Sequence, residues 1–340
     1  MLNVHMYSSA TKVKGQGVGS AYTELIKLLE KYYPEQLAIT INEFSPADIS
    51  HYHTIDLKFF FSTFSKRRGK KVGYVHFLPE TLEGSLKLPW IARKVLYRYV
   101  IAFYKRMDAL VVVNPTFIPK LEAYGIAREK ITYIPNFVSK KEFHPIASEE
   151  KKQLRVKKKL PTDKFLIVGV GQIQERKGVF DFIELAKRNP EFEFVWVGGF
   201  SFGVITDGYA ELKKVVDDPP ENLHFPGIVE RTEMCEYYNL ADVFLLPSYN
   251  ELFPMSVLEA FSCETPVVLR ELELYEGVIA GYYAGCADID EMEKKLKKLA
   301  KDPAVLAKLR ERAKAAAKFY SEDRLALIWL DYYKKQAGKV

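Results

Sequence analysis

The chain has 340 residues, of which 48% are hydrophobic and 28% charged, so it is long enough to form two hydrophobic cores. This balance excludes disorder, a collagen-like repeat and a bundle of membrane spans, because no run of about eighteen residues is apolar. The first residues lack the basic and apolar regions of a secretory leader. The three cysteines, spaced 28 and 23 residues apart, match neither a disulfide framework nor a zinc site. We therefore expect a cytoplasmic protein.

Positive charge is concentrated in the first half of the chain. Residues 1–160 carry 27 lysines and arginines against 14 acidic residues, whereas residues 161–340 carry 23 against 30. The first half therefore has 13 excess positive charges, and we expect it to meet an anionic partner. Nucleic acid and an anionic lipid surface both fit this composition.

Short apolar or β-branched segments alternate with helical patterns in both halves, which is typical of parallel βαβ units. A charged stretch from Glu149 to Lys159 has no apolar periodicity and indicates a domain boundary near residue 155. The predicted strands are residues 2–7, 37–41, 48–53, 71–75, 109–113 and 131–134, then 165–169, 194–197, 223–225, 243–246 and 266–269.

These patterns predict an α/β protein with two doubly wound, Rossmann-like domains, residues 1–155 and 156–318, that face a central cleft. Helical periodicity continues over residues 290–318 and 321–335, and we expect a C-terminal helix in residues 319–340 to pack back towards the first domain. Ligands of such folds bind at the carboxyl ends of the strands, so the loops there are the candidate site.

Two glycine-rich loops each follow the first strand of a domain. The first contains Gly17 and Gly19 before a helical pattern, where backbone amides and a helix N-terminus attract phosphate. Its GxGxG spacing differs from the dinucleotide fingerprint GxGxxG, and a simple tight turn is the alternative. The second contains Gly171 and ends in Arg176 and Lys177, two cations that suit a diphosphate unless they only form a solvated loop.

Two glutamates eight residues apart flank the predicted start of a later helix. Glu251 ends the loop after a strand, and Glu259 lies within the helix that begins near Pro254 or Met255. The free amides of this helix start attract an anion, while the two carboxylates accept hydrogen bonds from hydroxyls. A sugar-nucleotide site explains this combination better than the alternative that both residues are ordinary surface glutamates.

Together, these motifs resemble the family 4 retaining glycosyltransferases of GT-B fold, and the E-x7-E pair is the most specific part. The resemblance implies that Glu251 binds donor-sugar hydroxyls, Glu259 binds the ribose, and the two cations neutralise the UDP diphosphate. One departure is Gln172, where many members have an arginine. No metal or other cofactor is implied. The expected donor-binding residues are Gly17, Gly19, Gly171, Arg176, Lys177, Glu251, Phe253, Pro254, Met255 and Glu259.

His76 follows the predicted strand 71–75, and the family resemblance favours it as a residue that lines the donor sugar. We therefore predict His76, Glu251 and Lys177 as the catalytic set. The alternatives are a buried core histidine and a metal site made with His51 and His53, which no carboxylate or cysteine cluster supports. The pair Asp288-x-Asp290 is interpreted as a helix cap rather than as a metal motif.

A helix is predicted from Leu86 to Arg106, with four cations within about 40° of one another around its axis. Such a helix fits the interface of an anionic membrane, where each cation contributes on the order of 1 kcal/mol. A core helix with one wet edge is the alternative. The predicted membrane-binding residues are Lys87, Trp90, Lys94, Arg98 and Lys105.

Within the family, the segments Met6–Ser9, His51–Thr54, Tyr74–Glu80 and Ile134–Asn136 resemble bacterial glycosyl-diacylglycerol synthases, most closely those that add a second sugar. We therefore expect hexose transfer from UDP-glucose or UDP-galactose to monoglucosyl-diacylglycerol or diacylglycerol, by a protein bound peripherally to the inner face of the cell membrane. The alternatives are a soluble or cell-envelope saccharide acceptor, a nicotinamide-dependent oxidoreductase and a nucleic-acid binder. The absent GxGxxG and the lack of a nucleic-acid module argue against the last two.

Overall fold

The computed structural model describes residues 1–10, 17–82, 89–200, 208–251 and 255–339. These residues divide into two compact units, each organised around a parallel six-stranded sheet. The first unit contains Met1–Phe137 and Glu322–Val340, and the second contains Val138–Ser321. The two doubly wound α/β domains predicted from the sequence are confirmed.

The first sheet has the strand order β2-β1-β3-β4-β5-β6, with parallel pairing throughout. Every residue of the third and fifth strands is buried, as expected when helices cover both faces of a parallel sheet. The strands are β1 (Leu2–Tyr7), β2 (Leu37–Ile41), β3 (Ile49–Tyr52), β4 (Lys70–Val75), β5 (Ala109–Val112) and β6 (Ile131–Tyr133).

The second sheet has the order β12-β11-β10-β7-β8-β9, so the strand order reverses between β7 and β10. In doubly wound folds this reversal opens a crevice at the carboxyl ends of the two strands. The strands are β7 (Leu166–Val170), β8 (Glu193–Val197), β9 (Leu223–Gly227), β10 (Val243–Leu246), β11 (Val267–Arg270) and β12 (Ala284–Cys286). Among the strands of the described residues, only β12 was not predicted, because a three-residue edge strand has no apolar run to mark it.

The helical segments predicted after the first glycine-rich loop, in residues 86–106, after Pro254 and in the C-terminal region each contain an observed helix. The pattern over residues 290–318 is divided in two at Pro303, which lacks a backbone donor, and the Asp302 side chain caps the second helix. The helices are α1 (Gly17–Tyr32), α2 (Leu57–Ser62), α3 (Trp90–Lys105), α4 (Phe117–Ala123), α5 (Ser148–Lys157), α6 (Val179–Arg188), α7 (Tyr209–Asp217), α8 (Arg231–Leu240), α9 (Met255–Ser262), α10 (Glu273–Glu276), α11 (Ile289–Lys301), α12 (Pro303–Phe319) and α13 (Glu322–Gln336).

The unit boundary lies at 137/138 rather than near residue 155, where the charged stretch suggested it. That stretch forms α5, which is fastened to the second unit by charge rather than by apolar contacts. Arg155 donates to the Leu240 carbonyl at 2.7 Å and to Asp242 at 2.8 Å, and Lys151 contacts Asp242 at 2.7 Å. A search for apolar periodicity therefore overlooks this helix. At the other end, α13 belongs to the first unit.

Candidate active site

Two loops of the second unit meet at the carboxyl ends of β7 and β10, where the strand order reverses. The Tyr249 amide donates to the Arg176 carbonyl at 2.9 Å, and Arg176 Nη1 donates to the Asn250 carbonyl at 2.6 Å. Gly178 has φ +70°, and a Cβ atom there would lie 2.2 Å from the Pro247 oxygen. Only glycine permits this approach, so the local sequence brings both predicted donor loops together.

Lys177 and Glu251, one from each loop, form an ion pair with side chains only 13% and 6% exposed. Burial lowers the pKa of Lys177, and nearby Arg176 acts in the same direction, while Glu251 opposes both. Gly171 lies beside this lysine, since a Cβ atom there would be 3.5 Å from Lys177 Cδ. The pair places a buried cation next to a buried carboxylate, which can accept hydrogen bonds, at the end of the sheet.

Glu259 lies in α9 and is held from α8 by two side chains. Tyr238 Oη donates to one carboxylate oxygen at 2.5 Å, and Arg231 Nη1 donates to the other at 3.0 Å. Burial and Glu259 raise the pKa of Tyr238 well above its ordinary value, so the phenol stays a donor. Met255 is the first residue of α9 and is buried, whereas Phe253 and Pro254 lie outside the described residues.

Arg270, at the end of β11, supports the 247–251 loop, and the sequence reading missed it. Its guanidinium donates to the Pro247 and Ala287 carbonyls, each at 3.1 Å, and forms an ion pair with Asp181. Tyr249 Oη donates to the same Asp181 at 2.7 Å. The sequence could have indicated Arg270, because it is the single charged residue at the end of the otherwise apolar strand Val267–Arg270.

In the first unit, His76 follows β4 and is buried beside two other histidines. Its Nε2 lies 3.4 Å from His53 Nδ1, and its ring stacks on Tyr74 with centroids 4.3 Å apart. His51 contacts the Tyr333 hydroxyl of α13 at 2.8 Å. Burial lowers the pKa of both His51 and His76 to about 3. At neutral pH, His76 is therefore an uncharged hydrogen-bonding group.

The metal alternatives find no geometric support in the part of the chain that is described. No group of three or more histidine, cysteine, aspartate or glutamate residues there is placed to hold a metal ion. Asp288 accepts a hydrogen bond from the Glu291 amide at 2.9 Å and caps α11, which confirms the cap interpretation. Asp290 instead pairs with Arg188 at 2.8 Å.

Comparison with known proteins identifies the family. Residues 150–318 match the family model "Glycosyl transferases group 1", and residues 18–142 match "Glycosyltransferase Family 4". The chain is 53% identical to the alpha-galactosylglucosyldiacylglycerol synthase of Streptococcus pneumoniae, over 99% of this chain and 90% of that protein. The chain belongs to glycosyltransferase family 4. The processive diacylglycerol alpha-glucosyltransferase of Acholeplasma laidlawii is 26% identical to this glycosyltransferase, over 81% and 80% of the two chains.

Solved structures agree on the fold of this glycosyltransferase. Sucrose-phosphate synthase from Thermosynechococcus elongatus matches with a TM-score of 0.81 at 15% identity, and each chain is covered completely. Anabaena HepE in complex with UDP-glucose matches with a TM-score of 0.78 at 14% identity, over 98% of this chain and 100% of that one. With the two parallel sheets, these matches establish the GT-B fold.

The glycosyltransferase exposes both charge and apolar surface along α3. Trp90, Ile91 and Val95 are 67%, 60% and 62% exposed, whereas Val100, Phe103 and Tyr104 in the C-terminal half of the helix are buried. Because these apolar side chains face solvent, the core-helix alternative accounts for only part of the helix. Lys87 lies outside the described residues. A cavity of about 680 Å³ is lined by Pro79, Trp90, Arg93, Lys94, Tyr97, Arg98, Ile101, Ala102, Lys105 and Tyr124.

The glycosyltransferase also exposes apolar side chains next to α3 that the sequence analysis missed. Leu57, Phe61 and Phe64, in α2 and just after it, are all exposed. The Phe60 and Tyr99 rings, with centroids 5.5 Å apart, connect α2 to α3. In the sequence, the cluster of aromatic residues within 59–64 could have indicated this exposed surface. We call Leu57, Phe61, Phe64, Trp90, Ile91, Val95, Arg93, Lys94, Arg98 and Lys105 the α2–α3 surface.

The first glycine loop of the glycosyltransferase is only partly described. Gly17 and Gly19 are the first and third residues of α1, and Gly19 accepts a hydrogen bond from the Thr23 hydroxyl at 2.9 Å. Residues 11–16 lie outside the described residues. No described helix is both long enough and apolar enough to cross a membrane.

Proposed function

We propose that the protein is a retaining hexosyltransferase that uses a UDP-sugar to glycosylate glucosyl-diacylglycerol. The observation that carries this proposal is the 53% identity, over nearly the whole of both chains, with alpha-galactosylglucosyldiacylglycerol synthase. The name of that relative favours UDP-galactose over UDP-glucose as donor and a glucosylated lipid over free diacylglycerol as acceptor.

The donor roles follow the geometry of the second unit. In the proposal, Lys177 and Arg176 neutralise the diphosphate, Glu251 accepts hydrogen bonds from sugar hydroxyls, and Glu259 accepts them from the ribose. The Lys177–Glu251 pair supports this assignment because both charges are buried and adjacent. When the donor binds, a phosphate group can take the place of Glu251 as the partner of Lys177. A sugar hydroxyl can then take the place of Lys177 as the partner of Glu251. In the first unit, neutral His76 hydrogen-bonds the donor sugar.

The proposed reaction breaks the bond between the anomeric carbon and the UDP oxygen and forms a bond to the acceptor hydroxyl oxygen on the same face. The departing phosphate oxygen takes the acceptor proton. The enzyme contributes chiefly by stabilising negative charge on UDP, through the cations Arg176 and Lys177 and the helix amides near Met255. No enzyme nucleophile and no metal ion are part of this proposal.

The α2–α3 surface is the proposed membrane contact. Its cations suit anionic lipid headgroups, and its exposed phenylalanine and tryptophan side chains suit the interface below them. In this proposal, the protein binds peripherally to the inner face of the cell membrane. The lipid acceptor then reaches the enzyme without leaving the bilayer.

Product analysis tests the proposed function. The purified full chain is incubated with UDP-galactose or UDP-glucose and with vesicles that contain glucosyl-diacylglycerol, diacylglycerol or neither, with and without a metal chelator. We expect UDP release and a dihexosyl lipid only with glucosyl-diacylglycerol, faster with UDP-galactose and unaffected by the chelator. A further incubation replaces the vesicles with a soluble glucoside, and an equal rate there would contradict the lipid acceptor. Loss of activity in the chelator would contradict metal independence.

A further inference from the structure

Two cysteines meet where α8 lies against the C-terminal end of α9: Cys235 is in α8, and Cys263 directly follows α9. Cys235 Sγ and Cys263 Sγ lie 4.0 Å apart, although 28 residues separate them in the chain. Cys235 is partly exposed and Cys263 is buried. A disulfide needs its sulfur atoms at about 2.05 Å, so a shift of about 2 Å would join them.

The same interface holds Glu259. Arg231, Cys235 and Tyr238 lie four and three residues apart in α8 and therefore share one face of that helix. Arg231 and Tyr238 both bond to Glu259 in α9, and the Cys263 amide donates to the Glu259 carbonyl at 3.1 Å. The two sulfur atoms and the Glu259 carboxylate therefore share one set of contacts.

We propose that Cys235 and Cys263 are a modification site, where a hydroperoxide forms a reversible disulfide that links α8 to α9 and weakens nucleotide binding. The effect on nucleotide binding depends on the role proposed above for Glu259. Cys235 is the residue oxidised first, because its sulfur is the more accessible of the two. Hydrogen bonds from Cys263 and Asn239 favour its thiolate, and its pKa is lowered to about 6 despite partial burial.

The chemistry balances in two steps. The Cys235 thiolate attacks the outer oxygen of the hydroperoxide, which becomes an alcohol or, for hydrogen peroxide, water, and Cys235 becomes a sulfenic acid. The Cys263 sulfur then attacks the Cys235 sulfur and displaces hydroxide, which leaves as water with the Cys263 proton. Two thiols thus lose two electrons and two protons to one hydroperoxide, and an external dithiol reverses the reaction.

Peptide mapping together with UDP titration tests the proposal on the full chain. The protein is treated with hydrogen peroxide, digested without reduction and analysed by mass spectrometry, and its affinity for UDP is measured by calorimetry before and after treatment. We expect one linked peptide pair that contains Cys235 and Cys263, and a UDP Kd raised about fivefold or more, at the low end of coupling between linked sites. Dithiothreitol should restore the original Kd.

Matched variants isolate the disulfide. Cys235→Ser should abolish both the linked peptides and the change in Kd, while Cys286→Ala, which removes the remaining cysteine, should preserve both. Cys263→Ala provides a second loss-of-disulfide variant. The proposal is overturned if Cys263 stays a free thiol after treatment, if the disulfide forms without a change in Kd, or if Cys235→Ser keeps the response. Reduced protein that binds no UDP would instead contradict the proposed donor site, and peptide mapping would still report the disulfide.

Discussion

Lys177 and Glu251 form an ion pair with each other in the described structure. A bound donor must therefore break this buried pair and form one contact with Lys177 and another with Glu251. Removing either partner would leave a buried charge alone, which is costly. Glutamine keeps the size of the side chain and one accepting oxygen, so it tests the carboxylates with less disturbance than truncation. Glu259 differs from Glu251, because its two partners on α8 fix its orientation before any ligand arrives.

Glu251→Gln and Glu259→Gln should each weaken donor use by about 1–3 kcal/mol, because each loses a charged hydrogen-bond acceptor for a hydroxyl. The measurement is kcat/KM for the UDP-sugar, with thermal unfolding as a check on folding. Exposed Glu191→Gln is the matched control and should behave as the unmodified protein. Unchanged kcat/KM in both glutamine variants would show that these carboxylates do not bind the donor.

Lys177→Ala should lower kcat more than it weakens UDP binding, because negative charge on the leaving UDP grows towards the transition state. Single-turnover rates and calorimetric UDP affinities measure the two effects separately. Lys187→Ala, an exposed lysine in α6, provides the control for loss of one positive charge. If UDP affinity falls while the single-turnover rate stays unchanged, Lys177 contributes to ground-state binding only.

At the scale of secondary-structure elements, three buried histidines lie in or just after β3 and β4, and one of them, His51, contacts Tyr333 of α13. Burial holds the pKa of His51 and His76 at about 3 and that of His53 well below its ordinary value of 6.5. The unfolded chain therefore binds protons below pH 6.5 that the folded chain does not bind. Stability is fully present above pH 6.5 and is lost as the pH falls towards 3.

We expect the free energy of unfolding to fall between pH 6.5 and 5, approaching about 1.4 kcal/mol per pH unit for each of the three histidines. Urea unfolding at a series of pH values measures the slope. His53→Gln should lower the slope by the share of one histidine, about 1.4 kcal/mol per pH unit. A slope that stays flat down to pH 5 would mean that these side chains are accessible to protons in the folded state.

The attachment of α5 to the second unit depends on Asp242, which faces both Lys151 and Arg155. Asp242→Asn leaves two largely buried cations without their carboxylate, so we expect a loss of about 3 kcal/mol in the free energy of unfolding. The exposed pair Lys152–Glu149 is the control, and Glu149→Gln should cost less than about 1 kcal/mol. Equal effects of the two variants would show that the Asp242 network is no stronger than a surface pair.

For the whole molecule, the excess positive charge of the first half and the α2–α3 surface together predict the membrane contact. Lys94→Glu with Arg98→Glu should release the protein from anionic vesicles, whereas the same charge change in α11, Lys294→Glu with Lys301→Glu, should not. High salt should weaken binding of the unmodified protein, because screening at about 1 M leaves a range of roughly 3 Å. Vesicle co-sedimentation measures both effects.

The apolar part of the same surface has its own test. Phe61→Ser should reduce the binding that persists in high salt, because an exposed aromatic side chain adds an apolar contribution that salt does not screen. UDP affinity in detergent should stay unchanged in all these variants. Full sedimentation of the Lys94/Arg98 double variant on anionic vesicles would show that another surface makes the contact.

Local sequence patterns were enough to predict most of the strands and to select the residues that we propose bind the donor. Apolar runs such as residues 243–246 mark buried parallel strands, and the E-x7-E pair has a fixed spacing within one segment of the chain. The carboxyl ends of such strands then locate the candidate site, since doubly wound folds bind ligands there.

The tertiary structure decided the features that join residues far apart in the chain. The contact between Arg155 and Asp242 attaches α5 to the second unit, whose boundary lies at 137/138. Arg270 and Asp181 support the Glu251 loop. Cys235 in α8 meets Cys263 at the end of α9. None of these pairs has a fixed spacing or periodicity, so no local pattern could reveal them. Long-range partners are chosen by how helices pack on a sheet, and that packing appears only once the chain has folded.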